Sequence, residues 1–139
     1  VAASASTTFT KGEVMMIDTG VTTNGGGQNV TQAAGDDLAK AIGICAETKT
    51  VDNSGGADVK DDTILVQVAG HNDECTGAAA IAVGQLCGHD GVKPALAVGD
   101  STTGVTTLPF AICVVAATTA PTVNFTDLEI LIYDHGFYG

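Results

Sequence analysis

Arginine and tryptophan are absent, and the only basic residues are five lysines set against sixteen carboxylates, a formal net charge of -11. Without arginine there is no planar fork for paired recognition of phosphate or carboxylate. Lys11, Lys40, Lys49, Lys60 and Lys93 are scattered singly. A nucleic-acid partner, which is bound through clustered cations that neutralise phosphates, is therefore not expected. Aromatics are also few, four Phe and two Tyr, so a face that stacks sugars would be poorly supplied. The longest apolar run, Leu108 to Ala117, is broken by Pro109 and falls well short of the roughly 18–20 residues of a membrane helix, so no membrane partner is expected. VAASASTTFT at the N-terminus has neither a basic n-region nor a continuous apolar h-region and is not an intact signal peptide.

Catalytic sets are equally thin. There is no GxSxG, and the three histidines, His71, His89 and His135, each lie beside Gly or Asp in turn-like sequence, the composition of solvent-facing turns. Asp36-Asp37 and Asp61-Asp62 are adjacent pairs, and neighbouring residues on a strand point to opposite faces, so they read as loop charges. Neither an EF-hand pattern nor a phosphate loop of the GxxxxGK[ST] type is present. The expectation is a protein that is not an enzyme and carries no cofactor.

The four cysteines form no CxxC. Cys45 and Cys113 sit inside apolar runs and read as small buried hydrophobes. Cys75 and Cys87 lie next to turn signals and are a possible disulfide, though free thiols are the leading reading for them as well. His71, Cys75, Cys87 and His89 bracket one hairpin-like stretch, but their spacing is not that of a structural zinc site, and no metal is assigned.

What is present is β-forming. At 139 residues the chain fits one domain. A 45% hydrophobic share, with mean hydropathy +0.28, beside so much acid requires apolar and acidic residues on different faces, as in an oligomer. Strand candidates are GEVMMID, AIGICAE with Ile42, Ile44 and Ala46 alternating, DDTILVQVAG with Ile64, Val66 and Val68 alternating, and AAAIAVGQLC, VKPALAV, LPFAICVVA and DLEILIYD. One short helical turn is expected near Asp36–Lys40. GEVMMIDTG followed by AIGICAE is echoed by GQLCGHDG followed by FAICVVA. The reading is all-β, a small compact antiparallel barrel or sandwich, with residues 1–10 as an extended N-terminal arm and 11–139 as the domain. Of the aromatics, Tyr133, Phe137 and Tyr138 cluster in the tail and are candidate interface anchors.

In order, the blocks KGEVMMIDTG, GDDLAKAIGICAE, DDTILVQVAG, AIAVGQLCGHDG and DLEILIYD resemble the small capsid decoration (cement) proteins of tailed bacteriophages. The specific points are Gly12-Glu13-Val14, the Ala39 to Ile44 block after an acidic turn, the Val-rich strand ending at Gly70, and Ile81 to Gly84. The four cysteines and the NSGGADVKDD loop depart from that pattern. The resemblance implies a β-tulip-like fold, a structural virion role on the outer capsid surface after synthesis in the host cytoplasm, and two partners, the major capsid protein and the chain itself as a homotrimer. It also implies that Val1, Ala2, Ala3, Ser4, Ala5, Ser6, Thr7, Thr8 and Phe9 form a capsid-contacting arm. The competing reading is an extracellular or virion-attached β module that binds a ligand or carbohydrate.

Overall fold

The computed structural model describes residues 2–3, 7–18, 29–33, 41–51, 63–78, 80–96, 109–116 and 128–133. These form twelve strands: β1 (Ala2–Ala3), β2 (Thr7–Phe9), β3 (Val14–Asp18), β4 (Asn29–Gln32), β5 (Ala41–Cys45), β6 (Lys49–Val51), β7 (Val66–Gln67), β8 (Gly70–Asn72), β9 (Leu86–Asp90), β10 (Lys93–Leu96), β11 (Ala111–Val115) and β12 (Glu129–Ile132). The chain is all-β, with no helix among the described residues. The turn expected near Asp36–Lys40 lies outside them, as do Asp61-Asp62 and His135.

Sheet 1 has the order β1-β4-β3-β5-β7 and sheet 2 the order β10-β9-β11-β12-β8, while β2 and β6 make a two-stranded ribbon. Pairing is antiparallel apart from the parallel contact of β1 with β4. Two cores show how these pieces stack. Val14, Met16 and Ile44 of sheet 1 share one buried cluster with Cys87, Ala111, Cys113, Ile130 and Ile132 of sheet 2. Met15, Val30 and Cys45, on the other face of sheet 1, share a second cluster with Phe9 and Val51 of the ribbon and with Ile64. Sheet 1 is thus the middle layer, covered on both faces.

That middle position accounts for several departures from simple alternation. In β5 the register slips between Met15 and Met16 of its partner, so Ala41 and Ile44 enter the first cluster while Cys45, with Ile42 packed beside it, faces the second. A bulge of this kind adds one residue and re-aims the side chains beyond it. The expected alternation of Ile64, Val66 and Val68 holds only at the start, because regular pairing is limited to Val66–Gln67 and Val68 is exposed. Gly43 has no room for a side chain, since a Cβ there would collide with the carbonyl of Gln67.

The arm boundary also moves. Thr7–Phe9 pairs with Lys49–Val51, and Phe9 is fully buried. Phe9, expected in a free capsid-contacting arm, is instead a core residue of the ribbon layer. An aromatic side chain of that size gains more from burial than a short free arm can offer it.

The echo between the two halves of the sequence is present in the backbone. Gly12 donates to the carbonyl of Cys45 at 2.9 Å as Gly84 does to that of Cys113 at 2.9 Å, and both glycines have positive φ, 92° and 85°. Cys45 and Cys113 then donate back to Glu13 and Gln85. Val14 lies opposite Ile44 as Leu86 lies opposite Ile112, and Ile44 opposite Gln67 as Ile112 opposite Leu131. The orders β4-β3-β5-β7 and β10-β9-β11-β12 are therefore the same arrangement built twice.

Candidate functional site

The repeat exposes a difference between the two halves. Val14 and Ile44, on sheet 1, are buried against sheet 2. Their counterparts on sheet 2, Leu86 and Ile112, point away from the first cluster, and with Leu131 they form one row in register across β9, β11 and β12 that ends at His71 on β8. Leu86 is 46% exposed and Leu131 43%. Val114 and Val115, at a second bulge in β11, are exposed beside the row, and Val83 lies in the turn that leads into β9. Single exposed aliphatic residues are ordinary on a soluble domain, but a contiguous set at the centre of a sheet marks a contact surface.

The ionisable residues of this face lie two by two. His71 Nε2 lies 2.7 Å from Glu129 Oε2, and Asp90 lies opposite Lys93 across the β9–β10 hairpin. Each side edge of sheet 2 has a backbone carbonyl already engaged. On β8 the carbonyl of His71 accepts from Gln67 Nε2 at 2.8 Å. On β10, Pro94 has no N–H and its carbonyl accepts from Ala78 at 2.8 Å. What the sheet offers a partner is its face.

The far end of the stack has the opposite character. Thr8 and Thr50 are exposed on the outside of the ribbon with their hydroxyls 2.9 Å apart. Between these ends a cleft of about 330 Å³ lies among Thr10–Glu13, Glu74, Thr76, Val92 and Lys93. Its two lysines and two carboxylates balance, Lys11 being 2.8 Å from Glu74, while Glu13 accepts from Gln32 Nε2 at 2.7 Å.

Cys45, Cys75, Cys87 and Cys113 are all buried free thiols, so the Cys75–Cys87 bridge is not formed. Their S–H groups turn to separate carbonyls, Cys75 to Leu128 at 3.8 Å and Cys87 to Gln85 at 3.9 Å. Burial pushes both thiols up to about 12 from an ordinary value of 9.0, with smaller contributions from neighbouring thiols. That keeps them protonated and non-nucleophilic. His71 faces outward while Cys87 and His89 face inward, so the four His and Cys side chains are not gathered, and the described residues contain no group of three His, Cys, Asp or Glu side chains arranged to hold a metal. His89 is buried rather than solvent-facing, its Nδ1 3.1 Å from the carbonyl of Gly91. Tyr133 is half-buried and donates its backbone N–H to Phe110. Phe137 and Tyr138 lie outside the described residues, as do Val1, Ser4, Ala5 and Ser6. In the sequence the row Leu86–Ile112–Leu131 carries no signal of its own, since its residues are as apolar as their core-facing neighbours.

Compared with models of protein families, with curated proteins and with solved structures, the chain finds no match.

Proposed function

We propose that this chain is a structural decoration (cement) subunit, which binds the outer surface of a phage head and stabilises it by bridging neighbouring major capsid subunits. The observation that carries the reading is the short N-terminal strand β1 on the edge of sheet 1, while the open aliphatic face of sheet 2 is a separate surface on which protein can pack. The resemblance of the GEVMMID, AIGICAE and AIAVGQLC blocks to cement proteins supplies the kind of partner. At the N-terminus, β1 is held to β4 by two residue pairs. So short a strand is readily exchanged for pairing on a neighbouring protein, and its small side chains permit close backbone approach. Many weak, equivalent contacts on one shell then act together through effective concentration.

The experiment is sedimentation of particles from the source on a density gradient, with the chain quantified by mass spectrometry. The expected result is co-migration in a fixed ratio to the major shell protein, with rebinding after mild release lost when residues 1–6 are deleted. A chain that stays wholly in the soluble fractions while intact shells sediment without it overturns the reading and favours the ligand-binding β module.

A further inference from the structure

We propose that the outer face of sheet 2 is a homotypic interface, covered by the same face of a second copy of this chain. The inference rests on the reading of that face as a protein-binding surface, but not on the shell as partner.

The internal repeat supplies the first argument. The equivalent face of sheet 1, carrying Val14 and Ile44, is not left open but is covered by another β-sheet. Leu86, Ile112 and Leu131 occupy the matching ladder positions, so the same backbone presents the same kind of surface, and a sheet is the shape that fits it. Aligned sheets pack with their side chains interdigitated about 10 Å apart.

The second argument is which sheet faces a second copy can offer. Among the described residues, sheet 1 is buried on both sides, by sheet 2 and by the ribbon, and the inner face of sheet 2 is buried as well. The outside of the ribbon is polar at Thr8 and Thr50. Apart from exposed Leu65 and Val68, which flank the two-residue β7 at the edge of sheet 1, the remaining aliphatic sheet face among the described residues is that of Leu86, Ile112 and Leu131. A contact made by one patch with itself is isologous, so it closes at two copies instead of propagating into a ring or fibre.

Charge is the third argument. Two chains of -11 repel wherever acidic surfaces meet. On this face Glu129 has His71 beside it and Asp90 has Lys93 across the ladder. Added salt is expected to strengthen the contact by screening the repulsion between the two acidic chains. With a backbone carbonyl engaged on each edge strand and the aliphatic row on the face, the contact is face to face and not a continued sheet.

A two-fold pair leaves the two ribbon ends, each beside an N-terminal strand, directed away from the contact. It is a different assembly from the homotrimer that the resemblance implies.

Sedimentation equilibrium of the isolated full chain, without shells, tests this. The expected species has twice the 13.8 kDa mass of one chain, dissociates on dilution into the micromolar range, and is tightened by salt. Ile112→Asp or Leu131→Asp, each with native circular dichroism, is expected to weaken association at least tenfold. Should either variant fail to fold, Ile112→Cys and Leu131→Cys serve instead. Under oxidised glutathione each is expected to form a covalent two-chain product, while Thr50→Cys on the ribbon does not. A monomer throughout, a three-chain mass, a dimer indifferent to both charged substitutions, or equal cross-linking from Thr50→Cys overturns the proposal. Because no shell is present, a monomeric result leaves the decoration reading standing, and failed shell binding leaves the dimer standing.

Discussion

Glu13 and Gln85 hold the same bond in the two halves of the molecule: Glu13 Oε2 accepts the N–H of Thr10 at 2.9 Å, and Gln85 Oε1 accepts that of Ala82 at 2.7 Å. Each side chain closes the turn that feeds the first long strand of its sheet, and each turn also carries a backbone bond, Glu13 to Thr10 and Gln85 to Ala82, both at 3.1 Å. The duplicated arrangement makes one half a control for the other.

From this equivalence Glu13→Gln is expected to be close to neutral, within about 0.5 kcal/mol, because a carboxamide already fills the role at Gln85. Glu13→Ala removes the acceptor for both Thr10 and Gln32 and is expected to cost about 1–2 kcal/mol. Urea unfolding of the two variants checks the ordering. An equal loss in both would show that the charge, not the acceptor, matters.

Gly12 and Gly84 separate backbone conformation from space. Both have positive φ, but a Cβ on Gly12 would strike the carbonyl of Glu74, whereas nothing lies within 4 Å of one on Gly84. Gly84→Ala should lose about 1 kcal/mol through conformation alone. Gly12→Ala should lose clearly more, roughly 2–4 kcal/mol once overpacking is added. Thermal midpoints of the two variants side by side are the measurement.

Phe9 anchors the ribbon to sheet 1, so Phe9→Ala is expected to cost about 3–5 kcal/mol. A variant lacking residues 1–6 keeps this side chain and should stay far closer to the parent stability. Denaturant midpoints that shift equally for both would return Phe9 to the arm.

Asn72 is buried, donating to Gln67 Oε1 at 2.8 Å and accepting the N–H groups of Glu74 and Cys75 at 3.1 Å each. Asn72→Leu strands both backbone donors and is expected to cost roughly 2–4 kcal/mol. Amide exchange at Glu74 and Cys75 should accelerate more than exchange at the centre of β11.

Cys75 and Cys87 give the alkaline limit of stability. Their thiols are raised from 9.0 to about 12 in the folded protein, so the unfolded chain releases these protons first. Their contribution is fully present below pH 9, and it declines as pH rises from 9 towards 12. The urea midpoint should fall across that window, less steeply in a Cys75→Ala, Cys87→Ala double variant. At pH 8 the native protein should react with a thiol reagent only at the rate of its opening.

Much of the architecture is written in the chain. GEVMMID, AIGIC and ICVV are apolar, β-branched runs between Gly, Asn and Asp punctuation, and they became β3, β5 and β11. The likeness of GEVMMID and GQLCGHD is only an echo in the sequence, and the matching backbone bonds of Gly12 and Gly84 make it a repeat. The site was less legible. Leu86 and Leu131 sit in runs as apolar as those of the core strands, and nothing in their local pattern tells a strand covered on both faces from one covered on one.

The sequence by itself determined that the protein is β, acidic and free of arginine, since composition and period-two patterning are local properties of the chain. Only the tertiary structure decided that sheet 1 lies in the middle, that Phe9 is a core residue, that the four cysteines are separate buried thiols and that Leu86, Ile112 and Leu131 face outward. Those facts depend on which sheet covers which. In two halves with the same backbone, a face is buried or open according to its neighbour and not according to its own residues.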